Sequence, residues 1–566
     1  MHWLDWIILG STLLFITLYG VYKTRGAKSE EQYLASNRNT PWWAIGLSIM
    51  ATQASAITFI STPGMGYQTG LNFAQFYFGL PLAMIIVAFA FVPVFHKLKV
   101  YTAYEFLENR FSLNARLLTA FLFLVQRGLA AGLTIYAPSI ILAKILGFPL
   151  YANILVIGIL VIIYTVSGGT EAVTQTHKQQ MAVIFLGLFI VFGFLVYGLH
   201  NQIGLSKAFS IAELNDKLDL VDTRFDLSNR YNIWSGMIAG TFLMLAYFGT
   251  DQSQVQRYIS GKSVKEIRTG LYFNAVLKIP MQIFILLIGV MVFVFYQVQK
   301  PPIFFDHLAI EHVESSEYQQ EMTHLKEEYV VFQDQKADRI KNDFDGYKKE
   351  VSDYNREDLA YRQKVEMLIE KSSYVSPIKK EGDFVFITYV LKYLPIGLIG
   401  LLMAVIFSAA MSSTAAELNA LATTTVVDFY KRLRKDPNSK TDIVKRSKLF
   451  TALWGVVAIS FAMVAQFLDN LVEAVNILGS LFYGTVLGIF LVAFYAKRVG
   501  SLAVIISAII AELFVVSMFV FQPFFNKLFG VQVEFLWYNL IGCFLVFALS
   551  LIIQSFLPKL EPKELA

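Results

Sequence analysis

The chain has 566 residues, 56% of them hydrophobic, 15% aromatic and only 16% charged, so it cannot be covered by a water-soluble surface and is read as an integral membrane protein. A formal charge of +5, carried largely by short loops, argues against nucleic-acid binding. The single Cys543 excludes an intrachain disulfide and any cysteine-based metal centre.

A spanning helix needs roughly 20 mostly apolar residues. In chain order such segments fall near 4–22, 43–64, 72–95, 117–146, 150–167, 179–199, 233–256, 269–298, 387–412, 447–467, 470–496, 499–521 and 535–557, which makes thirteen. The first opens Met1-His2-Trp3-Leu4-Asp5-Trp6, with no basic leader and no small-residue cleavage site, and is expected to be a retained span. Loops after the odd-numbered spans hold 25 Lys or Arg, and the opposite set holds 5 once the long insert is set aside. The positive-inside rule then places the amino terminus outside and the carboxy terminus in the cytoplasm, for a multi-pass plasma-membrane protein.

Between the two membrane portions, 1–298 and 387–566, residues 299–386 form a charged insert. Of its residues from Lys300 to Asp383, 19 are acidic and 13 basic. Glu311 to Asp345 and Tyr347 to Tyr374 contain neither Gly nor Pro, with Gly346 between them. That pattern predicts a solvated helical hairpin on the outer face.

Two apolar spans are interrupted by polar residues: Ala51-Thr52-Gln53-Ala54-Ser55 and Phe248-Gly249-Thr250-Asp251-Gln252-Ser253-Gln254. A polar, unwound patch at membrane depth implies that something polar binds there, because every backbone polar group in lipid needs a partner. Pro63 and Gly64 add a helix-ending signal after the first break. Ala409-Ala410-Met411-Ser412-Ser413-Thr414 offers adjacent hydroxyls on an otherwise apolar span. Carbonyl and hydroxyl oxygens together suit a hard monovalent cation such as sodium, although Ser and Thr also back-bond to helical carbonyls or pack small-residue interfaces.

These residues resemble the sodium:solute symporters. Ser48 through Ala56 to Pro63 is similar to the family's broken first core helix. Pro93-Val94-Phe95 through Tyr104-Glu105-Phe106-Leu107-Glu108-Asn109-Arg110-Phe111 is similar to its "P-V-F…YE-L--RF" stretch, and Tyr164-Thr165-Val166-Ser167-Gly168-Gly169 to its signature. Gln252-Ser253-Gln254-Val255-Gln256-Arg257-Tyr258 resembles "Q-QVQRY", and Ser412-Ser413 through Asp428-Phe429-Tyr430-Lys431 its ion-site helix. The resemblance implies an all-α fold of thirteen membrane helices. Its core is two inverted repeats of five helices, each with a broken first helix, and the soluble helical insert is additional. It also implies a sodium held by the carbonyls of Ala51, Ala54 and Ala409 and the hydroxyls of Ser412 and Ser413. Where many members have Trp-Thr-Asp, this chain has Gln175-Thr176-His177, which removes the carboxylate of a second ion site and implies one sodium per solute.

Alignment with sugar-transporting members places Gln53, Thr58, Tyr77, Asp251, Lys278 and Asn476 at substrate positions, with Gln75 and Gln252 nearby; the positions match, but most identities do not. Asp251 and Lys278 are charges inside spans, each costing about 2.5–3.5 kcal/mol at a helix centre, unless they pair with each other or a neighbouring helix. Their mix of acceptors, donors and amides favours a sugar or polyol, since Asp251 repels an anion that Lys278 does not neutralise. An organic anion such as a monocarboxylate or vitamin is the alternative. An enzyme is not expected, because the seven His show no ligand spacing. A passive channel and a transporter-like sensor are the remaining readings, and the few residues after Pro558 offer a sensor no output domain.

Overall fold

The protein, represented by a computed structural model, is described over residues 1–24, 29–374, 381–433, 440–465 and 471–558. Among the described residues there is no strand, only an isolated bridge between Thr40 and Gly261, and ten helices are long and apolar enough to cross a membrane by length and composition. The helices that build the site are α1 (Trp3–Thr24), α2 (Trp42–Gln53), α3 (Ala56–Thr69), α4 (Leu113–Leu146), α5 (Leu150–Ile203), α6 (Gly240–Thr250), α7 (Gln252–Tyr258), α8 (Val264–Val298), α9 (Gln319–Asn342), α10 (Phe344–Lys371), α11 (Gly382–Tyr393), α12 (Leu398–Thr424), α13 (Leu471–Tyr495) and α14 (Leu536–Ser555).

The expected span edges differ from the helices for local reasons. The first polar interruption cuts one predicted span into α2, only 12 residues long, and α3. The predicted spans at 150–167 and 179–199 fall on two helical arms of α5 that meet at a kink at Gly169, whose non-helical φ of 54° and ψ of −134° suit only a residue without a Cβ. The predicted 387–412 span is two helices, because Pro395 and Gly397 (φ 91°) separate α11 from α12. Asp5 of α1 caps that new start: its Oδ1 accepts from the Gly397 and Gly400 amides at 2.7 and 3.0 Å. A carboxylate at a helix amino terminus meets unpaired N–H groups and the positive end of the dipole, so this contact pins α1 to α12.

Small residues set the closest helix approaches. A Cβ on Gly289 of α8 would stand 1.9 Å from the Pro63 carbonyl, and one on Gly66 of α3 would stand 2.2 Å from that of Leu286. Both obstacles are backbone, so neither can rotate away. Gly289→Ala is therefore expected to separate α8 from α3 and to lower the melting temperature in detergent by several degrees, measured by scanning fluorimetry. An unchanged melting curve counts against this packing.

The insert is a helical hairpin of α9 and α10, with its own apolar cluster of Met322, Leu325, Tyr329, Phe332, Val365 and Leu368. The turn falls at Asp343 rather than Gly346. Asp343 is the better break because its Oδ1 accepts from the Gly346 amide at 3.0 Å and so starts α10. Arg362 ties the hairpin to the start of α11 through Glu381 (2.7 Å) and also pairs with Asp358 (3.0 Å). Both partners raise the Arg362 pKa against the opposing effect of burial, while burial pushes Lys336 down to about 8.

Candidate functional site

Both predicted interruptions are breaks in helical structure. Between α2 and α3, Ala54 (φ −86°, ψ 75°) and Ser55 (φ −75°, ψ 168°) leave the helix, so Ser55 does not return the hydrogen bond that the Ala51 carbonyl would receive in a continuous helix. Between α6 and α7, Asp251 (ψ 118°) breaks the run, and its Oδ1 caps α7 by accepting from the Ser253 amide at 2.8 Å and hydroxyl at 2.6 Å.

The carbonyl that the first break frees from the helix ladder faces α12. Ser412 Oγ lies 2.9 Å from both the Ala51 and the Ala409 carbonyl oxygens, and Ser413 Oγ donates to Ala409 at 3.0 Å. Four of the five sequence-predicted sodium ligands thus form one hydrogen-bonded knot, and Ala54 sits at the break three residues beyond Ala51. Every oxygen in the set is neutral and hard, the donor chemistry that fits an alkali cation. Two further groups brace the knot. Tyr164 donates to the Met411 carbonyl at 2.6 Å. His177 spans both walls: its Nε2 lies 3.0 Å from the Ser412 carbonyl and its Nδ1 2.8 Å from Ser48 Oγ of α2. A carbonyl only accepts, so Nε2 carries the proton, and the Ser48 hydroxyl donates to Nδ1.

Beside the break is a cavity of about 170 Å³ lined by residues of α3, α4, α6 and α13 and of the 70–77 turn. It holds the hydroxyls of Ser55, Thr58, Ser61 and Thr62, the amides of Gln53 and Gln126, and the aromatic rings of Phe73, Phe76, Tyr77, Tyr247 and Tyr483. Arg127 is the one charged residue in that lining. Its Nη2 binds Asp251 and Tyr483 and its Nη1 binds Glu417 at 3.0 Å. Its Nε–H has no partner among the described residues.

The substrate residues expected from sequence divide accordingly. Gln53, Thr58 and Tyr77 line the cavity, and Gln53 Oε1 has no partner among the described residues. Asp251 stands behind Arg127 rather than in the lining, and pairs with it, not with Lys278. Lys278 is fully buried on α8, without a hydrogen-bond partner among the described residues, its Nζ 5.6 Å from the centroid of the Tyr77 ring. Gln75 and Gln252 are fastened elsewhere. Gln75 bonds the Tyr231 carbonyl (3.1 Å) and the Asp222 amide (2.9 Å), while Gln252 bonds the Ala103 amide (3.0 Å) and the Tyr101 carbonyl (2.7 Å). The Asn476 side chain lies outside the described residues. Arg127 and Glu417 were missed from sequence, although both are charges buried in apolar helices, the signal that singled out Asp251.

The sequence matches the sodium:solute symporter family over residues 33–319 and 363–511, a match that skips most of the α9–α10 hairpin. Sodium-coupled monocarboxylate transporter 2 of Mus musculus is 26% identical over 489 residues, covering 86% of this chain and 67% of the relative. The sodium/sialic acid symporter SiaT of Proteus mirabilis (strain HI4320) is 25% identical over 548 residues, covering 95% and 92%. A solved structure of a Na+-coupled sialic acid symporter, substrate-bound and outward-open, superposes with a TM-score of 0.75 at 23% identity over 99% of both chains. With a broken helix facing hydroxyls on α12 and a family match across most of its length, the chain belongs to the sodium:solute symporter family, and sodium is its coupling ion.

Proposed function

We propose that this symporter imports a small organic carboxylate, held by Arg127, together with sodium held by Ala51, Ala54, Ala409, Ser412 and Ser413. The observation that carries the substrate class is the cavity's charge: its lining contains one guanidinium and no carboxylate. Asp251, the residue that argued for a neutral polyol, is turned away and satisfied by Arg127, Tyr483 and Ser253. One water needs about 10–15 Å³ of such cavity space, so a 170 Å³ cavity is oversized for a bare halide and suits an organic solute. The four hydroxyls and two amides in the lining also favour a carboxylate that carries hydroxyls. The relatives named for monocarboxylates and sialic acid fall in the same class.

The mechanism follows from the shared wall. The oxygens proposed for sodium belong to α2, the break after it and α12, and the cavity begins at Gln53, the last residue of α2. Sodium drawn between α2 and α12 fixes the break, which orients Gln53, Ser55 and Thr58 for the solute, so each ligand favours the conformation the other needs. Inward movement is driven by the sodium gradient plus about 2.3 kcal/mol per charge per 100 mV. The sequence reading of thirteen crossings, with the amino terminus and hairpin outside and the carboxy terminus in the cytoplasm, completes this proposal for a plasma-membrane protein. The test is uptake into proteoliposomes of labelled lactate, sialic acid, glucose and myo-inositol, with and without an inward sodium gradient. Sodium-driven accumulation of a carboxylate is expected. Accumulation of glucose or inositol that no carboxylate competes with overturns the substrate class.

Lys278 provides a separate check. Among the described residues the Lys278 ammonium has no hydrogen-bond partner and only the Tyr77 ring 5.6 Å away to offset a burial cost of about 2.5–3.5 kcal/mol, which points to use during transport. Lys278→Met is expected to raise the melting temperature while cutting uptake at least about ten-fold, a loss equivalent to 1.4 kcal/mol. A stabilised variant with full uptake makes Lys278 a bystander.

A further inference from the structure

Charge does not balance around Arg127. Among the described residues, one guanidinium meets two carboxylates, Asp251 and Glu417, with no ion pair from a second cation to either of them. Protons do not balance either. Thr134 Oγ1 is 2.9 Å from Glu417 Oε2, 3.1 Å from Thr414 Oγ1 and 2.9 Å from the Ala131 carbonyl, and it has one hydrogen for these three acceptors. Thr414 already donates to the Ala410 carbonyl at 2.8 Å. The seam between α4 and α12 therefore contains a spot crowded with hard oxygen, short of donors and surplus in negative charge. It is sealed from solvent, with Glu417, Thr134 and Thr414 only 4%, 5% and 0% exposed.

We propose that Glu417, Thr134 and Thr414 form a second sodium site, which fills when a substrate carboxylate draws Arg127 away from Glu417. This rests on the anion reading above. Glu417 takes the place of a substrate anion on Arg127 while the cavity is empty. Once the solute's carboxylate engages the guanidinium, Glu417 is left as a buried carboxylate with a weakened partner, and a small cation among three converging oxygens restores the balance. A hydroxyl from each of two helices beside one carboxylate is a coordination shell, whereas a proton needs a single oxygen. Solute and second sodium are thus linked through one side chain, and the coupling ratio becomes two rather than the one implied by His177.

The test measures sodium-22 and carbon-14 fluxes in proteoliposomes of the full chain at a clamped potential, with labelled lactate and labelled sialic acid as probes. Wild type is expected to move two sodium ions per carboxylate. Glu417→Gln and Thr134→Val are expected to move one, and the valine variant leaves the Arg127–Glu417 pair intact, so its result does not depend on how the glutamine variant folds. A wild-type ratio of one, or a ratio of two retained in both variants, overturns the site. So does a second charge carried by protons, seen as alkalinisation of the bath in place of the second sodium. If neither probe accumulates, the anion reading itself fails and takes this site with it; if a probe accumulates with a ratio of one, the second site alone is lost.

Discussion

Arg127→Gln is expected to lower carboxylate uptake by about 10- to 100-fold, because a hydrogen bond to a charged group contributes about 1.5–3 kcal/mol and each 1.4 kcal/mol is a factor of ten. The single variant has a second effect. It strips Asp251 and Glu417 of their shared cation, and breaking a buried pair from one side costs about 3–5 kcal/mol, so lost uptake in Arg127→Gln alone cannot separate binding from folding. The double variant Arg127→Gln with Asp251→Asn narrows that ambiguity, because only Glu417 is then left without its cation. It deletes one positive and one negative charge from the same contact and keeps the shapes of both side chains nearly unchanged. Its melting temperature is expected to return toward wild type while uptake stays low. Recovery of uptake in the double variant shows that Arg127 only neutralises Asp251, and the anion proposal then fails.

The features that were legible in the sequence are those that a linear pattern can carry. Gln53 and Ser55 stand out in an apolar run, as do Asp251 and Gln252, and both places are breaks. Ser412 and Ser413 stand out on a helix of Ala and Leu, and they face the first break. What the pattern does not carry is which partner lies across a gap. Arg127 is a charge in a span just as Asp251 is, yet its meaning comes from Asp251 and Glu417, 124 and 290 residues further along the chain. Gln75 and Gln252 have the same amide as Gln53, and nothing local tells an amide that faces a cavity from one that fastens a turn. His177 reads in sequence as a missing carboxylate. In the fold it is an added brace between Ser48 and Ser412, a role visible only when α2 and α12 are side by side. Gly169 shows the limit for span edges: in sequence it is one residue of a motif, and in the fold its positive φ makes the kink between two predicted spans.

Removing the hydroxyls around the Ala51 and Ala409 carbonyls should separate the ion from the solute. In Ser412→Ala the ring loses the oxygen that stands 2.9 Å from both carbonyls, and in Ser413→Ala it loses one that stands 3.0 Å from Ala409. Neither change introduces a charge or enlarges a side chain, and each hydroxyl sits within a helix that its removal leaves intact. The half-saturating sodium concentration for uptake is expected to rise by about ten-fold or more in each, since losing one ligating oxygen resembles losing a hydrogen bond to a charged group, about 1.5–3 kcal/mol. The larger effect is expected for Ser412, because its hydroxyl reaches the Ala51 carbonyl of α2 as well as the Ala409 carbonyl of α12. Raising external sodium should then rescue uptake in both variants, with solute affinity at saturating sodium close to wild type. This rescue distinguishes an ion ligand from a merely structural serine, whose loss would lower uptake at every sodium concentration. If Ser412→Ala and Ser413→Ala show wild-type sodium dependence, or if potassium supports accumulation as well as sodium does, the ion does not sit between the broken helix and α12.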